Sequence, residues 1–233
     1  MYTWNTTVHY SQTGPEGTLS PVAVLDLFQD IATMHAHAFG VGPLELTAAG
    51  QAWVLSRWRV RLDGLPDCGQ EIRVGTQAYD CRRALCRRAF SITDLQDRER
   101  VRGDSVWVLI DLASGGPVDA RAAVAQYLEP APAPELSGLP HKVPAPQSPR
   151  ALEPVTVTGE LLDANRHMNN VRSAALAMGR LPEGAALSGI AVDYHRPILR
   201  GQRVEPLLEE TAAGWRIALT VGGQTCVSTE FIR

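Results

Sequence analysis

The stretch SPVAVLDLFQDIATMHAHAFG, residues 20–40, contains the signals for the start and the end of a long helix. Ser20 is a favoured helix N-cap, Pro21 suits the first helical position, and Gly40 suits the residue just after a helix. Between them apolar residues recur at helical spacing and form a broad face. The sequence therefore predicts a long helix buried against a sheet.

Alternating segments rich in strand-forming residues follow this helix. They cover residues 52–62, 71–79, 84–93 and 100–112, and turn residues separate them. The later part repeats the order, with a strand at 155–158, a helix at 171–178, and strands at 190–194, 203–209, 215–221 and 224–232. Two successive β-α-β-β-β units predict an internal duplication of an α+β architecture, in which an antiparallel sheet wraps a long helix.

A proline-rich stretch separates the two units. Seven of the 16 prolines lie between Pro130 and Pro149. Proline fixes φ and removes a backbone donor, so this stretch should be extended and outside any sheet interior. We therefore expect a first unit over residues 1–130, a linker over 131–150, and a second unit over 151–233.

Composition restricts the class of protein. The net charge of −3 argues against general nucleic-acid binding, and no apolar run reaches the roughly 18 residues of a membrane span. The opening MYTWNTTVHY lacks the apolar region of a signal peptide, which predicts a cytoplasmic protein. Since Cys68, Cys81, Cys86 and Cys226 have no C-x-x-C spacing, we expect them to be buried, reduced thiols.

The segment LLDANRHMNNV, residues 161–171, places an acid, a histidine and three asparagines between a strand and a helix. Thioester hydrolysis needs a base or nucleophile, a donor for the developing oxyanion, and a group that orients the attack. These residues and the helix N-terminus could supply all three. Alternatively, Asp163 closes a turn and Asn169 or Asn170 caps the helix. A metal site is disfavoured because Asp163 and His167 offer only two ligands, so we expect no cofactor.

The same segment resembles a known motif. DANRHMNNV, residues 163–171, is similar to the D-x-N-x-H-V-N-N-V motif of the acyl-ACP thioesterases, which end fatty-acid synthesis. Four further segments resemble that family in the right order: FQD at 28–30, HAHAFGVG at 35–42, WVLSRW at 53–58 and SVWVLID at 105–111. Together the matches cover most of the chain.

The resemblance implies a double hotdog, with two tandem hotdog units and one active site in the second. The first unit would be non-catalytic and would contribute to the acyl pocket. Asp163 would activate water or attack the thioester carbonyl itself, Asn165 would orient that carboxylate or the carbonyl, and His167 would assist proton transfer. Asn169 and Asn170 would bind substrate. A backbone N–H at the helix start, assigned from helix physics, would stabilise the oxyanion.

The chain departs from the family pattern at two places. Relatives carry a glutamate in a Y-x-x-E pattern after the helix, whereas Pro197 stands there in this chain. Either the Asp-Asn-His set suffices, or activity is weak, or His195 replaces the acid. Ser173 stands where relatives carry an aromatic residue, which predicts a roomier acyl pocket.

Two other groups of residues admit two interpretations each. The basic cluster at residues 81–88, CRRALCRR, could steer an acidic carrier protein or could be a solvated strand face. His35 and His37 are two residues apart on the first helix, so they do not share a face. For both histidines we favour packing or hydrogen bonding in the core over catalysis.

The predicted function is hydrolysis of fatty acyl-[acyl carrier protein], with acyl carrier protein as the partner and with no nucleic acid or membrane as a ligand. Two alternatives stay open: an acyl-CoA thioesterase, and an acyl-binding protein without catalysis. A double hotdog can complete its sheet alone or pair with a second chain, so a homodimer is also an alternative.

Overall fold

The computed structural model describes all residues, Met1–Arg233, and the chain divides into two compact units. The first unit contains Met1–Ser56 and Val60–Leu136, and the second contains Arg57–Arg59 and Ser137–Arg233. No helix in the structure combines the length and apolar character that a membrane crossing requires.

The first unit is a helix on an antiparallel sheet. Its helices are α1 (Pro21–His37), α2 (Pro43–Ala48) and α3 (Arg121–Val124). Its strands, in the sheet order β1-β3-β4-β5-β2, are β1 (Tyr2–Thr7), β3 (Glu71–Arg82), β4 (Leu85–Asp94), β5 (Glu99–Asp111) and β2 (Gln51–Leu62). Helix α1 packs on β3. The Ser20 side chain caps α1 by accepting a hydrogen bond from the Ala23 N–H at 3.1 Å, which confirms the predicted start of the helix.

The second unit repeats this plan with a shorter helix, α4 (Asn170–Met178), which packs on two strands of its sheet. The order in the sheet is β8-β11-β10-β9-β6, and β7 also pairs with β9. These strands are β6 (Arg150–Ala151), β7 (Val155–Thr156), β8 (Gly189–Tyr194), β9 (Arg203–Thr211), β10 (Gly214–Val221) and β11 (Gln224–Ile232). The predicted α+β class, the duplication and the strand positions are confirmed.

The proline-rich stretch is irregular, and its later part lies on the second unit. The N–H groups of Gln147 and Ser148 donate to the Glu209 carboxylate at 3.0 and 2.9 Å. The Val143 N–H donates to Asp193 Oδ2 at 2.8 Å. This stretch therefore contributes one buried and two exposed hydrogen bonds to the second unit.

The expectation of four buried, reduced cysteines is wrong. Cys81 and Cys86 face each other in the register of β3 and β4 and form a disulfide bond. Cys68 is a free, exposed thiol, and only Cys226 is free and buried as expected. The spacing of Cys81 and Cys86 did not predict the pair, because opposition across a hairpin depends on where its turn falls.

Candidate active site

The predicted catalytic residues lie on one tight hairpin at residues 163–167. The Asp163 N–H donates to the His167 carbonyl at 2.9 Å, and the Arg166 N–H donates to the Asp163 carbonyl at 3.0 Å. Asp163 Oδ1 accepts the Asn165 N–H at 2.8 Å. Arg166 takes a left-handed conformation, with φ of +60°, as the residue that closes such a three-residue loop must. Asp163 therefore does close a turn, but only one of its two carboxylate oxygens is used.

This hairpin places the backbones of two of the three predicted catalytic residues opposite each other. Asp163 and His167 face each other across its base, where opposite residues of an antiparallel pair are about 5.5 Å apart at Cα. Asp163 is half-buried, while Asn165 and His167 are exposed. Asp163 and His167 thus lie on neighbouring arms of one surface hairpin of the second unit, with Asn165 in the connecting turn.

The hairpin is held by its neighbours on both sides. The Met168 N–H donates to the Ile198 carbonyl, and the Asn169 N–H donates to the Leu161 carbonyl, both at 2.8 Å. Met168 is itself buried, and His167 forms a bridge with Leu199. The segment after β8 therefore fixes the position of the hairpin.

Helix α4 begins directly after the hairpin, and Asn169 caps it. Asn169 Oδ1 accepts the N–H groups of Val171 and Arg172 at 2.8 and 3.3 Å. Capping is thus the observed role of the Asn169 oxygen, and its predicted contact with substrate stays a prediction. Since two N–H groups at the helix start are used in this way, the Asn170 N–H remains as the donor there for an oxyanion.

Tyr194 supports the same helix end, and sequence reasoning missed it. Its hydroxyl donates to the Asn170 carbonyl at 2.8 Å, and burial raises the pKa of Tyr194 well above its usual range, so the hydroxyl stays protonated. Tyr194 is the last residue of β8 and the tyrosine of the Y-x-x-E pattern, and neither position indicated this hydrogen bond.

The structure argues against His195 as a replacement acid. Its Nε2 lies 3.0 Å from the Ser228 hydroxyl of β11. Ser228 stands opposite Asp193 in the register of β11 and β8, so His195 lies on the Asp193 face of the sheet, away from Tyr194 and the start of α4. Pro197 is exposed and immediately precedes Ile198, which holds the hairpin. Ser173 is buried, and its hydroxyl donates to the Asn169 carbonyl at 3.2 Å.

The basic cluster at residues 81–88 is not one surface. Arg82 is exposed, whereas Arg88 is buried. The Nη1 atom of Arg88 lies 2.9 Å from Nδ1 of His35. Burial and the Arg88 charge lower the pKa of His35 to about 4, so this histidine is neutral. The core role predicted for His35 is confirmed. The same prediction for His37 is wrong, since His37 is exposed and pairs with Glu45 at 2.6 Å.

The first unit has the same hairpin but lacks the acid, amide and imidazole side chains. The Gly14 N–H donates to the Thr18 carbonyl at 2.9 Å, and the Gly17 N–H donates to the Gly14 carbonyl at 3.0 Å. Gly14, Glu16 and Thr18 stand at the positions of Asp163, Asn165 and His167. The Asp-Asn-His set therefore belongs to the second unit alone.

The model of the acyl-ACP thioesterase N-terminal domain matches residues 1–121, about half of the chain. The chain belongs to the acyl-ACP thioesterase family. A chloroplast acyl-[acyl-carrier-protein] hydrolase of Cuphea viscosissima is 24% identical over 82% of this chain and 50% of its own length. A chloroplast palmitoyl-acyl carrier protein thioesterase of Gossypium hirsutum is 22% identical over 97% of this chain and 59% of its own. The chain thus spans little more than half the length of these relatives.

Solved structures of the family share the fold. An acyl-ACP thioesterase from Bacteroides thetaiotaomicron superimposes with a TM-score of 0.89 at 19% identity, covering 99% of this chain and 96% of that chain. The 12:0-ACP thioesterase from Umbellularia californica gives the same TM-score at 18% identity, with the same coverage. The double hotdog predicted from the motifs is confirmed.

Proposed function

We propose that this protein hydrolyses fatty acyl-[acyl carrier protein] to a free fatty acid and holo-carrier protein. The observation that carries the proposal is the hairpin of Asp163 and His167 at the start of α4, in a chain of the acyl-ACP thioesterase family. The first unit keeps the hairpin and lacks these side chains, so the polar set is not a requirement of the fold.

Each group has a chemical role in this proposal. Asp163 keeps Oδ2 for activation of water or for direct attack on the carbonyl carbon, because the turn uses only Oδ1. The carbonyl oxygen would accept the Asn170 N–H at the positive end of the α4 dipole. His167 would transfer a proton to the thiolate as the carbon–sulfur bond breaks. The products are the fatty acid and the carrier thiol, and one water is consumed.

The test is release of free thiol by wild type and by Asp163→Asn. The asparagine keeps an oxygen that can accept the Asn165 N–H, so the hairpin should persist while the base or nucleophile is lost. We expect kcat to fall by about 100- to 10,000-fold. The matched control is Asp97→Asn, the same substitution in an exposed turn of the first unit, which should leave kcat unchanged.

Full turnover by Asp163→Asn would contradict the assignment of this residue. Absence of turnover in the wild type on every thioester, with acyl binding retained, would favour the acyl-binding protein. Faster turnover of acyl-CoA than of the carrier-protein thioester would favour the CoA enzyme.

A further inference from the structure

Each unit has its own copy of the segment that holds the hairpin, so the two copies can be compared residue by residue. In the second unit Gln202 Oε1 accepts the Leu199 N–H at 2.8 Å, and in the first unit Gln70 Oε1 accepts the Asp67 N–H at 3.1 Å. The bridges match as well, since Leu199 pairs with His167 and Asp67 pairs with Thr18. This shared framework makes each unit a control for the other.

Arginines distinguish the second unit at this framework. Arg166 stands where the first unit has Gly17, and Arg200 stands where it has Cys68. Arg196 and Arg203 likewise stand where the first unit has Gly64 and Glu71. All four arginines are exposed. Positive charge is therefore concentrated around the hairpin that carries Asp163, and it is absent from the equivalent positions of the first unit.

Arg166 occupies a position that favours glycine. Its φ is +60°, and the equivalent Gly17 has a φ of +74°. An L side chain is disfavoured in this region, whereas glycine enters it freely. The turn itself does not require a side chain at position 166, and glycine would suit this backbone better, as it does at Gly17.

Arg166 and Arg200 are neighbours. Arg166 precedes His167 and Arg200 follows Leu199, so the antiparallel bridge between His167 and Leu199 brings the two arginines together. The Arg200 side chain lies beside Gly159, because its guanidinium carbon is 3.8 Å from the position that a Cβ atom would take on this glycine. Both side chains carry a positive charge, and like charges at neighbouring positions repel. An anion between them would relieve this repulsion.

We propose that Arg166 and Arg200 bind the phosphodiester that joins the pantetheine arm of the substrate to its carrier protein. This inference rests on the proposed thioesterase function. A guanidinium offers parallel N–H donors that match phosphate oxygens, and two guanidiniums can hold one phosphate from both sides. Such a contact anchors the arm beside the hairpin that holds Asp163.

The experiment compares one acyl group on three carriers: pantetheine without phosphate, 4′-phosphopantetheine, and acyl carrier protein. The measured quantity is the phosphate advantage, the ratio of kcat/KM for acyl-phosphopantetheine to kcat/KM for acyl-pantetheine. The wild type should show an advantage of about tenfold. In Arg166→Gly and Arg200→Ala the ratio should fall toward one. Arg150→Ala, which removes an exposed arginine from β6, is the matched control and should keep the wild-type ratio.

The outcomes separate this inference from the proposed function. Because glycine suits the backbone at position 166, Arg166→Gly should melt no lower than the wild type, so its lost advantage cannot be attributed to misfolding. Turnover with a wild-type ratio near one overturns the phosphate site and leaves the thioesterase standing. Variants that lose kcat/KM only on the carrier protein also overturn it, because the arginines would then contact the protein surface. Absence of turnover on all three carriers overturns both proposals.

Discussion

Replacing Asp193 with alanine should destabilise the second unit strongly. Asp193 Oδ1 accepts Arg59 Nη2 at 2.7 Å, and its Oδ2 accepts the Val143 N–H at 2.8 Å. Both side chains of the ion pair are buried, at 7% and 10% exposure. The substitution therefore leaves a buried guanidinium without its counter-ion and a buried N–H without its acceptor.

The magnitude follows from burial. Breaking a buried pair by removal of one partner costs about 3–5 kcal/mol. Arg59 would keep hydrogen bonds to the carbonyls of Pro140, His141 and Val192, which places the expected loss near the lower end, about 3 kcal/mol. In a chain of this size each kcal/mol lowers Tm by about 2–4 °C, so we expect a fall of about 6–12 °C.

Thermal unfolding followed by circular dichroism measures this effect. The control is Glu210→Ala, which breaks an exposed pair with Arg233 and should cost at most about 1 kcal/mol. Limited proteolysis should also cut residues 137–149 faster in Asp193→Ala, because Val143 loses its anchor. If the two substitutions lower Tm equally, the buried pair stabilises the protein no more than the exposed pair does, and the prediction is wrong.

Three smaller changes test the site and the first unit. Tyr194→Phe removes the hydrogen bond to the Asn170 carbonyl, which should cost about 1 kcal/mol in urea unfolding and lower kcat more than it changes KM. Asn169→Ala removes the cap of α4 and should also cost about 1 kcal/mol, whereas Asn169→Asp should retain most of the stability. The pKa of His35 is about 4 in the folded protein, below its unfolded value near 6.5. Its contribution to stability is therefore complete above about pH 6.5 and is lost as the pH falls toward 4. His35→Gln should reduce the difference in Tm between pH 7.5 and pH 5, and an unchanged difference would exclude His35 as its source.

Local sequence signals predicted most elements because each signal and its effect lie close together in the chain. Ser20 and Pro21 begin α1, and alternation set the strands within a few residues of their observed bounds. Alternation shows which residues share a strand face, but it does not show which face is buried. This is why the burial of Arg59 and of Arg88 was missed.

The residues of the candidate site were also predicted only where the signal is local in the sequence. The residues of the hairpin at 163–167 are adjacent in sequence, so a motif could find them. The supports of the hairpin are distant in sequence, and Tyr194 acts through one hydroxyl that no spacing rule would select. The role of Asn169 as the cap of α4 also needed coordinates, because asparagine suits both capping and substrate binding.

The proposed thioesterase activity is tested most directly by kcat/KM for thiol release from acyl carrier protein and coenzyme A thioesters of the same acyl groups. We expect turnover of both, with a higher kcat/KM on the carrier protein. Equal or higher kcat/KM on coenzyme A would contradict the carrier assignment. Release of no thiol from either carrier would contradict the hydrolase itself.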